Sequence, residues 1–166
     1  FLHAPATVAA LDAGVHVLCE KPMAVSVAEA QKMVDAAKRN DRYLMIALNN
    51  RFRAESQILK KLIDQGELGE IYYAKTGWLR RRGIPGAGGW FTTKAKSGGG
   101  PLIDLGVHMI DLTRWLMGNP KPVTVQGSVY SKFAHTVEDG HYDVEDLAVG
   151  FIRLEGGATL IAEASW

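Results

Sequence analysis

The chain has 166 residues, 47% of them hydrophobic and 22% charged, with a formal net charge of +1. This is ordinary globular composition, and so even a charge points away from nucleic acid or an acidic membrane surface as a partner; the one basic run, Arg80-Arg81-Arg82, is short and reads as a solvated strand end. The single cysteine, Cys19, excludes an internal disulfide framework and suits a reducing, cytoplasmic setting, and no apolar stretch approaches the roughly 20 residues of a membrane span.

In chain order, residues 3–14 (HAPATVAALDAG) read as a helix, with Pro5 in its first turn and Gly14 just past its end. VHVLCE, residues 15–20, is a short buried strand that Lys21-Pro22 breaks. Residues 26–40 form an amphipathic helix, with Ser26 as N-cap and Glu29 completing a capping box. Its expected apolar stripe is Val27, Ala30, Val34 and Ala37. YLMIAL, residues 43–48, is a second strand. This alternation is the rhythm of a parallel α/β sheet.

The rhythm changes near residues 49–53. A helix from Glu55 to about Gly66 is followed by a strand over 70–82 and a glycine-rich loop over 83–100. A helix over 101–116 comes next, then strands over 122–133, 144–155 and 157–166, the last two joined by a Gly156-Gly157 hairpin. The second part is therefore α+β, a largely antiparallel sheet with helices on one face. Residues 1–49 and 50–166 form the two expected domains. The sequence opens in mid-pattern at Phe1 and closes inside a strand-like run at Trp166, so it reads as part of a longer protein.

Four features carry possible chemistry. In SGGGPLIDLGVHMIDLTRWL, residues 97–116, helical periodicity puts Asp104, His108, Asp111 and Trp115 on one stripe of an otherwise apolar and therefore buried helix. A carboxylate one turn before an imidazole fits proton transfer, and it equally fits a satisfied structural pair. Glu20-Lys21-Pro22 lies at the carboxyl end of a parallel strand, where ligands bind in open α/β sheets. The X-Pro bond there is one that a cis form suits. A substrate-contacting lysine and a plain strand-end turn both fit. Gly98-Gly99-Gly100 reads as a hinge or close-packing site and not as a phosphate cradle. His135, Glu138, Asp139, His141 and Asp143 match no metal-ligand spacing and read as a surface loop, with substrate contact as the other role for one of them.

Together H-A-P-A-x-x-A-A-L-x-A-G-x-H-V-L-C-E-K-P-M-A, N-x-R-F, G-W-F and S-G-G-G-P-L-I-D-L-G-V-H-M-I-D-L resemble the Gfo/Idh/MocA oxidoreductases over essentially the whole chain. The resemblance implies the last part of a Rossmann domain binding NAD or NADP, then a substrate domain with an open, largely antiparallel sheet that often builds a homo-oligomer. It implies hydride transfer between a nicotinamide and a sugar, cyclitol or related polyol hydroxyl. His108 becomes the general base, Lys21 the lysine beside the nicotinamide, and Asp104 a neighbour that orients His108 or binds substrate. Glu20, Pro22, Asn49 and Arg51 lie near the cofactor, and Trp90 borders the substrate. The glycine fingerprint that holds the pyrophosphate lies outside these residues, so they are expected to be inactive by themselves. Two alternatives accompany this reading: a non-catalytic binding or oligomerisation module, and a glycosidase that oxidises its substrate transiently.

Overall fold

The computed structural model describes residues 1–138 and 140–166. Helix α1, His3–Asp12, ends where Gly14 takes a φ of +81°. Strands β1, Val17–Cys19, and β2, Leu44–Ile46, pair in parallel with Val17 opposite Leu44 and Cys19 opposite Ile46. Helix α2, Val27–Arg39, crosses between them. Ser26 Oγ accepts the Glu29 N–H at 3.2 Å, but the capping box is only half made. A Glu29 carboxylate oxygen is buried with no partner. The buried ridge of α2 is Met33 and Ala36, one position round from the expected stripe, and Val27 is 86% exposed. Met33 meets Ala4 and Cys19, with Val8, Val17, Leu44 and Ile46 around them. That cluster decides which helical face turns inward.

Beyond a 3₁₀ turn at Asn49–Phe52 come α3, Ala54–Asp64, β3, Tyr73–Leu79, and a short α4, Lys94–Ser97. The expected helix over 101–116 divides into a π-helical turn, Leu102–Gly106, and α5, Val107–Leu116. Strands β4, Pro122–Tyr130, β5, Leu147–Leu154, and β6, Thr159–Ser165, complete a four-stranded sheet in the order β3-β6-β5-β4. Its β5–β6 and β4–β5 pairs are antiparallel and its β3–β6 pair is parallel. Gly156 and Gly157 both have positive φ, +81° and +90°, as a tight hairpin of this twist requires.

Inward alternation along β6 buries Leu160, Ala162 and Ala164. Leu160 and Ala162 pack with Ile152 and Leu154 against Ile110 and Met117. The sheet covers one side of α5 only, so none of that helix's residues is fully buried, although the sequence suggested burial all round. The opposite face of the sheet leaves Tyr73, Leu79, Tyr130 and Phe151 exposed.

Candidate active site

Lys21 reaches the site because β1 ends one residue before Glu20 and the chain turns there. The Lys21–Pro22 bond is cis, and His3 Nδ1 donates to the Pro22 carbonyl at 2.6 Å, tying the turn to α1. Lys21 Nζ then crosses to the second sheet's helical segment. It donates to the backbone carbonyl and to Oδ1 of Asp104, both at 2.9 Å. The other carboxylate oxygen, Oδ2, accepts the indole N–H of Trp166 at 3.0 Å. The side chains of Lys21 and Asp104 are only 21% and 11% exposed, so this ion pair is held in a partly desolvated setting where charge-assisted hydrogen bonds are strong.

His108 follows one turn later. Its ring lies 6.1 Å from that of Trp78, tilted by 42°, and its Nδ1 is buried with no hydrogen-bond partner. Asp104 makes no hydrogen bond to the imidazole; its two carboxylate oxygens face Lys21 and Trp166. Burial lowers the His108 pKa below the ordinary 6.5, and the Lys21 ammonium lowers it further; Asp104, Asp111 and Glu20 oppose them. The resulting imidazole is neutral at pH 7 and able to take a proton. Asp111, one more turn along, is gripped by Arg51 through Nε to Oδ2 at 2.7 Å and through Nη2 to Oδ1. This pair joins the 3₁₀ turn to α5 and raises the Arg51 pKa.

The glycine run Gly98-Gly99-Gly100 is a close-packing site. A Cβ on Gly100 would collide with the Glu145 carbonyl, and the Glu145 carboxylate accepts the N–H groups of Gly100 at 2.9 Å and Leu102 at 3.1 Å. An internal carboxylate thus occupies the positive end of the helical segment.

On the other side of Lys21 and Asp104 lies a cavity of about 250 Å³ whose walls include Glu20, Pro22, Val25, Trp90 and Ile103. Trp90 stacks on Phe91 at 3.9 Å. Its loop is stitched to residues 141–143: Thr92 Oγ1 donates to the His141 carbonyl at 2.6 Å, and the Lys94 N–H donates to Asp143 at 2.6 Å. The Lys94 N–H, and then His141, hold the Asp143 carboxyl below its usual value.

The cavity therefore gathers Glu20, Lys21, Pro22, Trp90 and Asp104, while His108 flanks the same pair beside Trp78. Asn49 and Arg51 are outside the cavity wall, and Arg51 reaches the site only through Asp111. Among the described residues no group of three His, Cys, Asp or Glu side chains is placed to hold a metal; Asp139 of the loop cluster lies outside the described residues. Glu145 and Trp166 were missed as site residues. Glu145 leaves no local sequence signal, whereas Trp166 continues the inward alternation of Leu160, Ala162 and Ala164.

Two family models match the chain. The oxidoreductase family with an NAD-binding Rossmann fold covers residues 1–48, and the GFO/IDH/MocA C-terminal domain covers 56–166. The chain belongs to the Gfo/Idh/MocA oxidoreductases, as its motifs suggested. It is 37% identical to D-glucoside 3-dehydrogenase of Escherichia coli K12 over 99% of this chain and 49% of that protein. Among solved structures, the aldose-aldose oxidoreductase of Caulobacter crescentus aligns with a TM-score of 0.87 at 34% identity, over 99% of this chain and 47% of that one. A levoglucosan dehydrogenase in complex with NADH and levoglucosan aligns with a TM-score of 0.87 at 31% identity, over 99% and 45%. The chain spans about half the length of the curated relatives it matches.

Proposed function

We propose that these residues supply the substrate side and the catalytic base of an NAD(P)-dependent dehydrogenase acting on a secondary hydroxyl of a sugar, cyclitol or related polyol. The observation that carries this reading is the arrangement around Asp104. Lys21 from the first sheet and His108 from α5 converge there, and His108 is kept neutral by burial and by the lysine charge. Relatives named as glucoside, levoglucosan and inositol dehydrogenases support the substrate class.

In this mechanism the neutral His108 takes the substrate hydroxyl proton, its outward nitrogen serving as the base because Nδ1 is buried. Lys21 holds the reacting oxygen's developing charge, and Asp104 keeps the ammonium in place. Trp90 borders the substrate from the cavity wall. A bound nicotinamide would supply the acceptor for the hydride lost from the carbon that bears this hydroxyl. The residues around Lys21 would hold only the nicotinamide end of a dinucleotide, because the pyrophosphate calls for a glycine fingerprint that these 166 residues do not contain. Glu20 and Pro22 would border that ring, and we assign Asn49 and Arg51, outside the cavity wall, to the cofactor side as well.

We assign residues 1–49 to the nucleotide-binding domain and 50–166 to the substrate domain. The bare face of the larger sheet is the surface we assign to a homo-oligomer, supported by its exposed Tyr73, Leu79, Tyr130 and Phe151. No helix among the described residues is long and apolar enough to cross a membrane. The free, buried Cys19 supports a cytoplasmic enzyme.

The test is a panel of sugars and cyclitols with NAD and NADP, using the full-length protein and following nicotinamide absorbance. Turnover of at least one polyol, with stoichiometric ketone, is expected. His108→Ala should lower it by about 10²–10⁴. Unchanged turnover in that variant overturns the proposal in favour of a module whose histidine is structural.

A further inference from the structure

We propose that Trp166 is a positioning residue for the Lys21–Asp104 pair, an inference that rests on the dehydrogenase reading above. Lys21 approaches Asp104 from the first sheet and holds Oδ1, which by itself leaves the carboxylate free to turn about its Cβ–Cγ bond. The Trp166 N–H arrives from the end of β6 and holds Oδ2. Two donors from elements far apart in sequence thus fix the carboxylate plane, and with it the place of the ammonium. The indole is 4% exposed, so its N–H has little access to water and Asp104 is the partner it finds.

The ring has a second, separable role. It packs with Leu105 and Val144, and Phe91 and Ile84 lie against that cluster. Phe91 carries Trp90 on its face. The N–H therefore acts on the charged pair, while the ring supports the wall of the cavity. Removing only the first should slow the chemical step, and removing the second should loosen substrate binding.

Trp166→Phe in the full-length enzyme separates them, because phenylalanine keeps most of the ring and loses the donor. The kcat is expected to fall by about ten- to a hundredfold, the worth of one hydrogen bond to a charged group, with KM for the polyol within about twofold. Adding Trp166→Phe to Asp104→Ala should produce no further loss, since the N–H then has no carboxylate to hold. If Trp166→Phe does not accumulate as folded protein, the benzothienyl analogue of tryptophan at position 166 keeps the shape without the N–H, and the same kcat loss is expected. A parental kcat in either variant, or additive losses in the double variant, overturns the role of Trp166 while Asp104→Ala keeps a lowered but measurable kcat. An Asp104→Ala enzyme that turns over at the parental rate overturns the underlying reading of the site, and this inference with it.

Discussion

Asp104 and His108 lie one turn apart on the same helical segment and are treated in opposite ways. Every oxygen that Asp104 offers in this site is engaged: Lys21 takes the backbone carbonyl and Oδ1, and Trp166 takes Oδ2. His108 is left with a buried Nδ1 that has no partner. Buried polar groups are normally satisfied, and leaving one open costs about 1–3 kcal/mol. The carboxylate is immobilised as part of the frame, and the imidazole is kept neutral, unpaired and free to exchange a proton.

Breaking the imidazole side gives the largest expected effect. His108→Leu removes the base and fills the same space, so kcat/KM should fall by about 10²–10⁴ in steady-state assays. Thermal unfolding should occur at the same or a higher temperature, because an orphaned nitrogen is removed with little loss of packing. A parallel loss of stability and activity would mean that the two residues do not differ as described. On the framed side, Glu145→Ala is expected to do the reverse. It strips the acceptor from the N–H groups of Gly100 and Leu102 and should cost about 2–3 kcal/mol in denaturant unfolding. The kcat of the fraction that stays folded should change little.

The imidazole side also answers to pH. His108 titrates below 6.5, so the acid limb of kcat/KM for oxidation should lie below that value. The stability contributed by neutral His108 is present above pH 6.5 and is lost as the pH falls from there through its lowered pKa. Since the Lys21 ammonium is one cause of the lowering, Lys21→Met should move the His108 titration upward. An NMR titration of the imidazole reads this directly, whether or not the variant still turns over. A downward movement would show that loss of the lysine buries the ring more deeply and outweighs the lost charge.

Much of this arrangement is legible in the residues themselves. Period-two alternation over 159–166 and the glycine pair before it fix the β5–β6 hairpin and its inward face. Helical periodicity places Asp104, His108 and Asp111 on one stripe, whereas Lys21 at a parallel strand's end fits a ligand contact and a plain turn alike. What periodicity misses is long-range. The engagement of Asp104 by Lys21 spans 83 residues, and its bond from Trp166 spans 62. No local pattern predicts either, so the spacing alone suggested a hydrogen-bonded Asp104–His108 pair that does not form. The π-helical turn at Leu102–Gly106 escapes for a related reason. It depends on how the helical segment starts against Glu145 and lies on β6, and residue type carries little of that. The capping box at Ser26 fails in its second half because Glu29 turns toward the cavity that Lys21 and Asp104 also line.

The smallest effect tests whether an orphaned buried group marks chemistry in this fold at all. The Tyr142 hydroxyl is also buried without a partner, packed against Leu105, Val144 and Trp166. Burial first, and then Asp146 and Glu145, push its pKa up to about 12. Unlike His108, which flanks Lys21 and Asp104, it belongs to the apolar cluster that backs the cavity. Tyr142→Phe deletes only the unsatisfied oxygen, so stability should rise by about 1 kcal/mol in thermal or denaturant unfolding, with kcat and KM unchanged. His108 and Tyr142 then separate by position: the imidazole beside Lys21 and Asp104 is retained for its reactivity, and the phenol in the cluster is a plain cost. A fall in kcat for Tyr142→Phe would instead place the phenol in the proton path, and the contrast between the framed carboxylate and the free imidazole would have to include a third group.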